Sequence, residues 1–172
     1  MAEYILYMWQ VEDMLRALAL DIEQVDRHVV SQFRVDEKTK LEIREWYDNL
    51  IAMMRLEKVE KSGHVQVVKN MVNELVELHY HLLNQAADAK YRQLFLAAAN
   101  NLLDYRRKAN LPEDVSDVEL ALHALYGRLM LRLQKKEIHT QTEEAMGTFS
   151  RMLGYLAARY KQMEEEEAKE FQ

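Results

Sequence analysis

The sequence has no cysteine, one proline and four glycines. Without thiols there are no disulfides, no thiolate metal sites and no cysteine nucleophiles, which fits a reducing compartment. With so few turn residues, a β-rich or loop-rich fold lacks the material for its turns. Long helices joined by short connections remain. Four glycines also leave little for a phosphate-cradling loop. No Walker loop, no Gly-x-Gly-x-x-Gly and no Gly-x-Ser-x-Gly occurs. Positive charge is in deficit: the net charge of −6 opposes general binding to nucleic acid or anionic lipid. The opening MAEYILYMWQVED has no basic leader, and Glu12 and Asp13 interrupt its apolar run. It is expected to be neither a secretory signal nor a membrane span, so the expected setting is the cytoplasm.

Nearly half of the 172 residues are apolar, enough for the core of one domain. The pattern centres on residues 116–137. Ser116 with Glu119 is a capping box. Beyond it, Val118, Leu122, Leu125, Tyr126, Leu129, Met130 and Leu133 fall on one apolar arc, and Leu120 and Leu131 on a second. A helix with two apolar lines meets neighbours on two sides, so this one is expected to be the most buried.

The remaining helices follow from periodicity and caps. The first spans residues 3–20, with Tyr4, Met8, Val11, Leu15 and Leu18 inward and Ile5, Leu6 and Trp9 opposite. It starts uncapped, which leads to the expectation that the natural chain begins further upstream. Asp21 caps a short second helix that carries the repeat through Phe33. Asp36 caps a third that reaches residue 61 and buries Ile43, Trp46, Tyr47, Leu50, Ile51 and Met54. Arg44 and Asp48 pair on its outside, and Gly63 is its left-handed end. A fourth spans 65–84 and a fifth 88–108, closed by Arg106, Arg107 and Lys108; Asn110-Leu111-Pro112 is the one strong breaker and the candidate hinge. Thr140 and Glu143 form the capping box of a seventh, with Phe149, Leu153, Leu156, Tyr160 and Met163 inward. Its line of Gly147, Ser150, Gly154 and Ala158 invites a close neighbour, internal or from a second copy.

These readings specify an all-α, single-domain bundle of six or seven helices over residues 1–163, with a buried central helix around 116–137. Residues 164–172 form an acidic tail expected to fray.

Chemistry is sparse. Glu77 with His81, and Glu119 with His123, each place a carboxylate and an imidazole one turn apart, and Glu74 joins the first pair. The di-iron pattern of helical bundles is Glu-x-x-His, which does not occur. Ordinary surface pairs explain these residues, so no metal and no cofactor is expected. His79 and His81 point in different directions. A ligand site is conceivable where Trp9, Gln10 and Asp13 of the first helix approach His123 of the central helix. The ten methionines sit largely on the packing stripes. No catalytic residue stands out.

Four stretches carry a resemblance: AEYILYMWQVED, EWYDNLIAMMR, GHVQ and LYGRLMLRLQKKEI. In the same order, over almost the whole chain, they resemble a family of bacterial all-helical proteins described only as a domain of unknown function. The resemblance implies an intracellular helical bundle whose members begin further upstream. It implies no activity and transfers no catalytic residue. The expected function is a non-enzymatic interaction or scaffold protein that self-associates, most simply as a dimer, without nucleic acid or membrane as partner. The alternative is a small-molecule- or metal-binding helical protein, possibly an enzyme.

Overall fold

Oxygen-bearing side chains start four of the helices in the computed structural model, which describes residues 1–170. Asp21 accepts from the Glu23 N–H at the head of α2 (Ile22–His28), and Asp36 from the Thr39 N–H at the head of α3 (Glu37–Leu56). Asp88 accepts from the Tyr91 N–H at the head of α5 (Ala89–Ala109). Ser116 and Glu119 form the predicted capping box of α6 (Asp117–Leu133). In each case the side chain satisfies a backbone donor that the first turn leaves free. α1 (Ala2–Ala17), α4 (Gln66–Asn84), α7 (Thr140–Glu170) and a 3-10 turn at Val30–Gln32 complete the order. Seven α-helices and no strand among the described residues make this the expected all-α fold. No described helix is long and apolar enough to cross a membrane.

Contacts divide the chain into two compact units, Met1–Leu6 with Met71–Gln172, and Tyr7–Asn70. In the first, α5, α6 and α7 pack against one another. Leu75, Tyr91, Leu102, Phe149 and Met152 are fully buried there. Val118, Leu120 and Leu122 of α6 are each 0% exposed, so both of its apolar lines are buried over the first turns, as the pattern predicts. Burial lapses beyond Gly127: Leu131 and Leu133 are exposed, and the helix ends at Leu133 rather than at residue 137. In the second unit, α2 and the 3-10 turn pack on α3, around Val25, Val30, Leu50, Ile51 and Met54.

Two further helices also stop sooner than predicted. Ala19 and Leu20 take positive φ of 56° and 55°, which ends α1, and Arg55 donates to the Leu20 carbonyl at 3.0 Å. α3 ends at Leu56, and Lys58 turns at φ 58°. Gly63 has φ 86° as predicted, but it lies in the connection beyond the helix rather than at its end. Arg44 reaches Glu23 at 2.6 Å and Asp26 at 3.9 Å instead of Asp48, because α2 packs alongside α3. Thr140 is the first residue of α7, not its cap, and Glu143 turns to Arg128 and Arg132, so the predicted second capping box is not formed. Tyr4 and Trp46, predicted inward, are exposed. Met8, Val11 and Leu15 of α1 are buried as predicted, and Ile5 and Trp9, placed on the opposite side, are buried as well, together with Glu12. α7 continues through Glu164–Glu167, all exposed, to Glu170. Phe171 and Gln172 of the predicted tail lie outside the described residues.

Candidate functional site

A groove of about 440 Å3 opens in the first unit. Its apolar lining is Leu6 from α1, Leu125 and Leu129 from α6, and Leu153 and Ala157 from α7. Ser150 and Gly154, two members of the small-residue line on α7, lie in it. A Cβ added at Gly154 would meet nothing within 4 Å, and the same holds for Gly127 on α6. Among the described residues, the small-residue line therefore has no neighbour at Gly154. Arg128 and Arg132 border the groove. They share one carboxylate: Glu143 lies 3.4 Å from Arg128 and 3.0 Å from Arg132. Two guanidiniums that share the Glu143 carboxylate keep N–H donors in excess along this edge of an apolar trough, while the Glu3 carboxylate of α1 also lines the groove. Such a shape suits a molecule that is apolar along its length and anionic at one end.

The residues singled out from the sequence fall in both units. Trp9, Gln10 and Asp13 belong to the second unit and His123 to the first. Trp9 is buried and Gln10 half-buried, whereas Asp13 and His123 are exposed. Asp13 pairs with Arg16 at 2.8 Å, as ordinary i,i+3 spacing allows. Glu119 is occupied by the Ser116 backbone and hydroxyl. Glu74 accepts from the Tyr160 hydroxyl at 2.6 Å, and that bond first, then burial, holds the phenol proton far beyond the usual tyrosine range. His81 reaches Gln85 at 2.9 Å. Glu74, Glu77 and His81 do share a groove of about 270 Å3 with Tyr160, Glu164 and Glu167 of α7. Among the described residues, however, no three His, Asp or Glu side chains are placed to hold a metal ion.

The most elaborate polar cluster was not legible in the sequence. Glu12 on α1 is 0% exposed. One carboxylate oxygen accepts the Val65 N–H at 2.8 Å, and the other lies 2.5 Å from His64 Nδ1. An ionised carboxylate only accepts, so the imidazole donates. The Trp9 indole stacks on that imidazole, with ring centroids 4.5 Å apart and planes at 12°. Arg16 donates to the carbonyls of Val59, at 3.0 Å, and Gly63. Glu57 accepts the Gln66 N–H at 2.5 Å. Two glutamates from elsewhere thus cap α4, whose own sequence supplies no cap, and their charge suits the positive end of its dipole. A buried acid within the apolar stripe of α1 was the signal that a partner had to exist. The cluster fastens the connection between α3 and α4 to α1.

A second buried pair lies in the first unit. His79 Nδ1 is 2.7 Å from the Tyr91 hydroxyl, and the Phe95 ring stands edge-on to the imidazole. Burial lowers the His79 pKa, against a weaker pull from Asp117, and raises that of Tyr91, so both are neutral. Beside them Tyr155 stacks on Tyr91 and donates to Asp88 at 3.0 Å. The Tyr91 N–H, and then the Tyr155 hydroxyl and Arg159, hold the Asp88 carboxyl below the usual range despite partial desolvation. His79 lies inside and His81 outside, as their spacing requires.

No curated protein and no solved structure gives a significant match to this chain. One family model does match, over residues 1–167, with the resemblance noted in the sequence. The chain belongs to the family described as Domain of unknown function (DUF4924).

Proposed function

We propose that this protein is a non-enzymatic helical binding protein, and that the groove between the first turn of α1, α6 and α7 takes an apolar chain with an anionic end. The observation that carries this reading is the uncovered Gly154 on an apolar floor edged by Arg128 and Arg132. A mid-helix glycine costs about 1 kcal/mol relative to alanine. Among the described residues, no helix approaches closely enough to offset that cost. Absence of cysteine and the acidic balance support a cytoplasmic setting, and the family resemblance supports a bacterial one.

Calorimetric titration with a medium-chain carboxylate such as decanoate, against the alcohol of equal length, tests the reading. Saturable binding of decanoate that weakens for the alcohol and for Arg128→Gln supports it. Absence of saturable binding, or equal binding of the alcohol, overturns it.

Self-association is the second reading. Leu96 and Leu103, 65% and 56% exposed, lie a heptad apart on α5 and favour a seam for a second copy. Light scattering that gives the monomer mass at high concentration removes it.

A further inference from the structure

In the second unit an opening of about 360 Å3 is walled chiefly by aromatic rings. Tyr7 comes from α1, Phe33 from the end of the 3-10 turn, and Trp46 and Tyr47 from α3. Trp46 and Tyr47 adjoin in sequence, yet their centroids lie 5.0 Å apart with planes at 74°. They therefore form a corner rather than a flat stack. Tyr47 is buried behind this corner and hydrogen-bonds Tyr7, which links the ring from α1 to those from α3. Phe33, Trp46 and Tyr7 are all exposed, at 41%, 40% and 48%. Helical spacing alone sends Trp46 inward, but the structure keeps it at the mouth of this opening. Rings this open forgo much of the burial that normally repays them.

The electrostatics of the opening have one sign. An aromatic face carries negative quadrupole density, and several faces around one space attract a cation. Glu42 adds a carboxylate to the wall, and among the described residues no lysine or arginine lines the opening. Lys38 approaches Glu42 only to 3.9 Å, with both side chains well exposed, so solvent screens that pair and leaves the carboxylate accessible to a ligand. A primary ammonium or a guanidinium must give up strong hydrogen bonds to water on entering an aromatic lining. A quaternary ammonium has no N–H to lose and presents only methyl or methylene groups to the rings. It is the cation that such walls accept at least desolvation cost.

We propose that the opening formed by Tyr7, Phe33, Trp46 and Tyr47 binds a small quaternary ammonium compound, with Glu42 as counter-ion. The site is independent of the groove in the first unit and carries no bond-making step.

The test is calorimetric titration of the full chain with tetramethylammonium, with choline, and with 3,3-dimethyl-1-butanol, the uncharged carbon analogue of choline. Saturable binding of both cations, about ten-fold tighter than the alcohol, is expected. Trp46→Leu is expected to weaken choline about ten-fold while retaining an apolar side chain at that position. Glu42→Gln, at an exposed helical position that leaves the fold intact by circular dichroism, weakens the cations and leaves the alcohol unchanged. It keeps the test decisive if Trp46→Leu does not fold. Absence of saturable cation binding, equal binding of the alcohol, or unaltered choline affinity in both folded variants overturns the proposal.

Discussion

Glu12 and His64 lie 52 residues apart in the chain, and their side chains meet at 2.5 Å. The Glu12 carboxylate is buried and also holds the Val65 N–H, so removing it strands that buried donor and releases the half-buried His64 imidazole. Each buried group left without its bond costs about 1–3 kcal/mol. Glu12→Ala is therefore expected to lower stability in urea by about 3 kcal/mol. Glu12→Gln, which can still accept from Val65, costs less. The cycle Glu12→Ala, His64→Ala and the double variant is expected to show a coupling of about 1–2 kcal/mol. Additive losses would mean that the pair is coincidental.

His79 makes stability depend on pH in one direction. Burial depresses its folded-state pKa below the 6.5 of the unfolded chain. Between those two values the unfolded chain binds a proton that the folded chain refuses. The contribution of His79 is thus complete above pH 6.5, falls as the pH drops below it, and levels off below the folded value. His79→Gln, which can still hydrogen-bond Tyr91, is expected to flatten that part of the profile. Identical slopes for the two proteins between pH 6.5 and 5 would contradict the assignment.

Asp88 joins the start of α5 to α7 through Tyr91 N–H, Tyr155 and Arg159. Asp88→Ala removes the cap and strands the Tyr155 hydroxyl, for an expected loss of about 2 kcal/mol. Asp88→Asn keeps an acceptor for the cap and loses less. Because its folded pKa lies below 3.8, the charge-dependent part of its contribution is present above that pH and disappears as the pH falls through the folded value. Chemical denaturation of the three proteins at neutral and acidic pH measures both effects.

The starts of the helices were largely legible in the sequence. Asp21, Asp36 and Ser116, expected as caps, act on backbone donors within three residues, so local chemistry decides them; Asp88, expected as the first residue of its helix, is in fact its cap. The double stripe of α6 was legible as far as Leu125, because periodicity reports burial while neighbours persist on both sides. Helix ends were less so. Ala19, Leu20 and Lys58 have positive φ that no glycine announces, and the turn at Ala19–Leu20 is held by Arg55 from α3. The cap of α4 was invisible because Glu12 stands 53 residues before Val65. The aromatic opening was masked by the same logic that identified the core. Periodicity gives Trp46 an inward phase but does not reveal that α1 and the 3-10 turn leave space beside it. Gly154 was readable as a small residue. That its space is unfilled by the chain itself required three-dimensional placement.

Gly154 also yields a stability prediction. A methyl group there meets nothing within 4 Å and the backbone is helical. Gly154→Ala is expected to raise stability by about 0.5–1 kcal/mol, visible as a higher urea midpoint with unchanged slope. A loss of stability would mean that the position is more crowded than described.

The account rests most heavily on the groove above Gly154 being a ligand site. Calorimetric titration of decanoate into the native chain and into Gly154→Leu tests this directly. The native chain is expected to bind in saturable fashion, and the leucine variant, folded and at least as resistant to urea, is expected not to bind. Decanoate binding of equal strength in both proteins, or in neither, would contradict it.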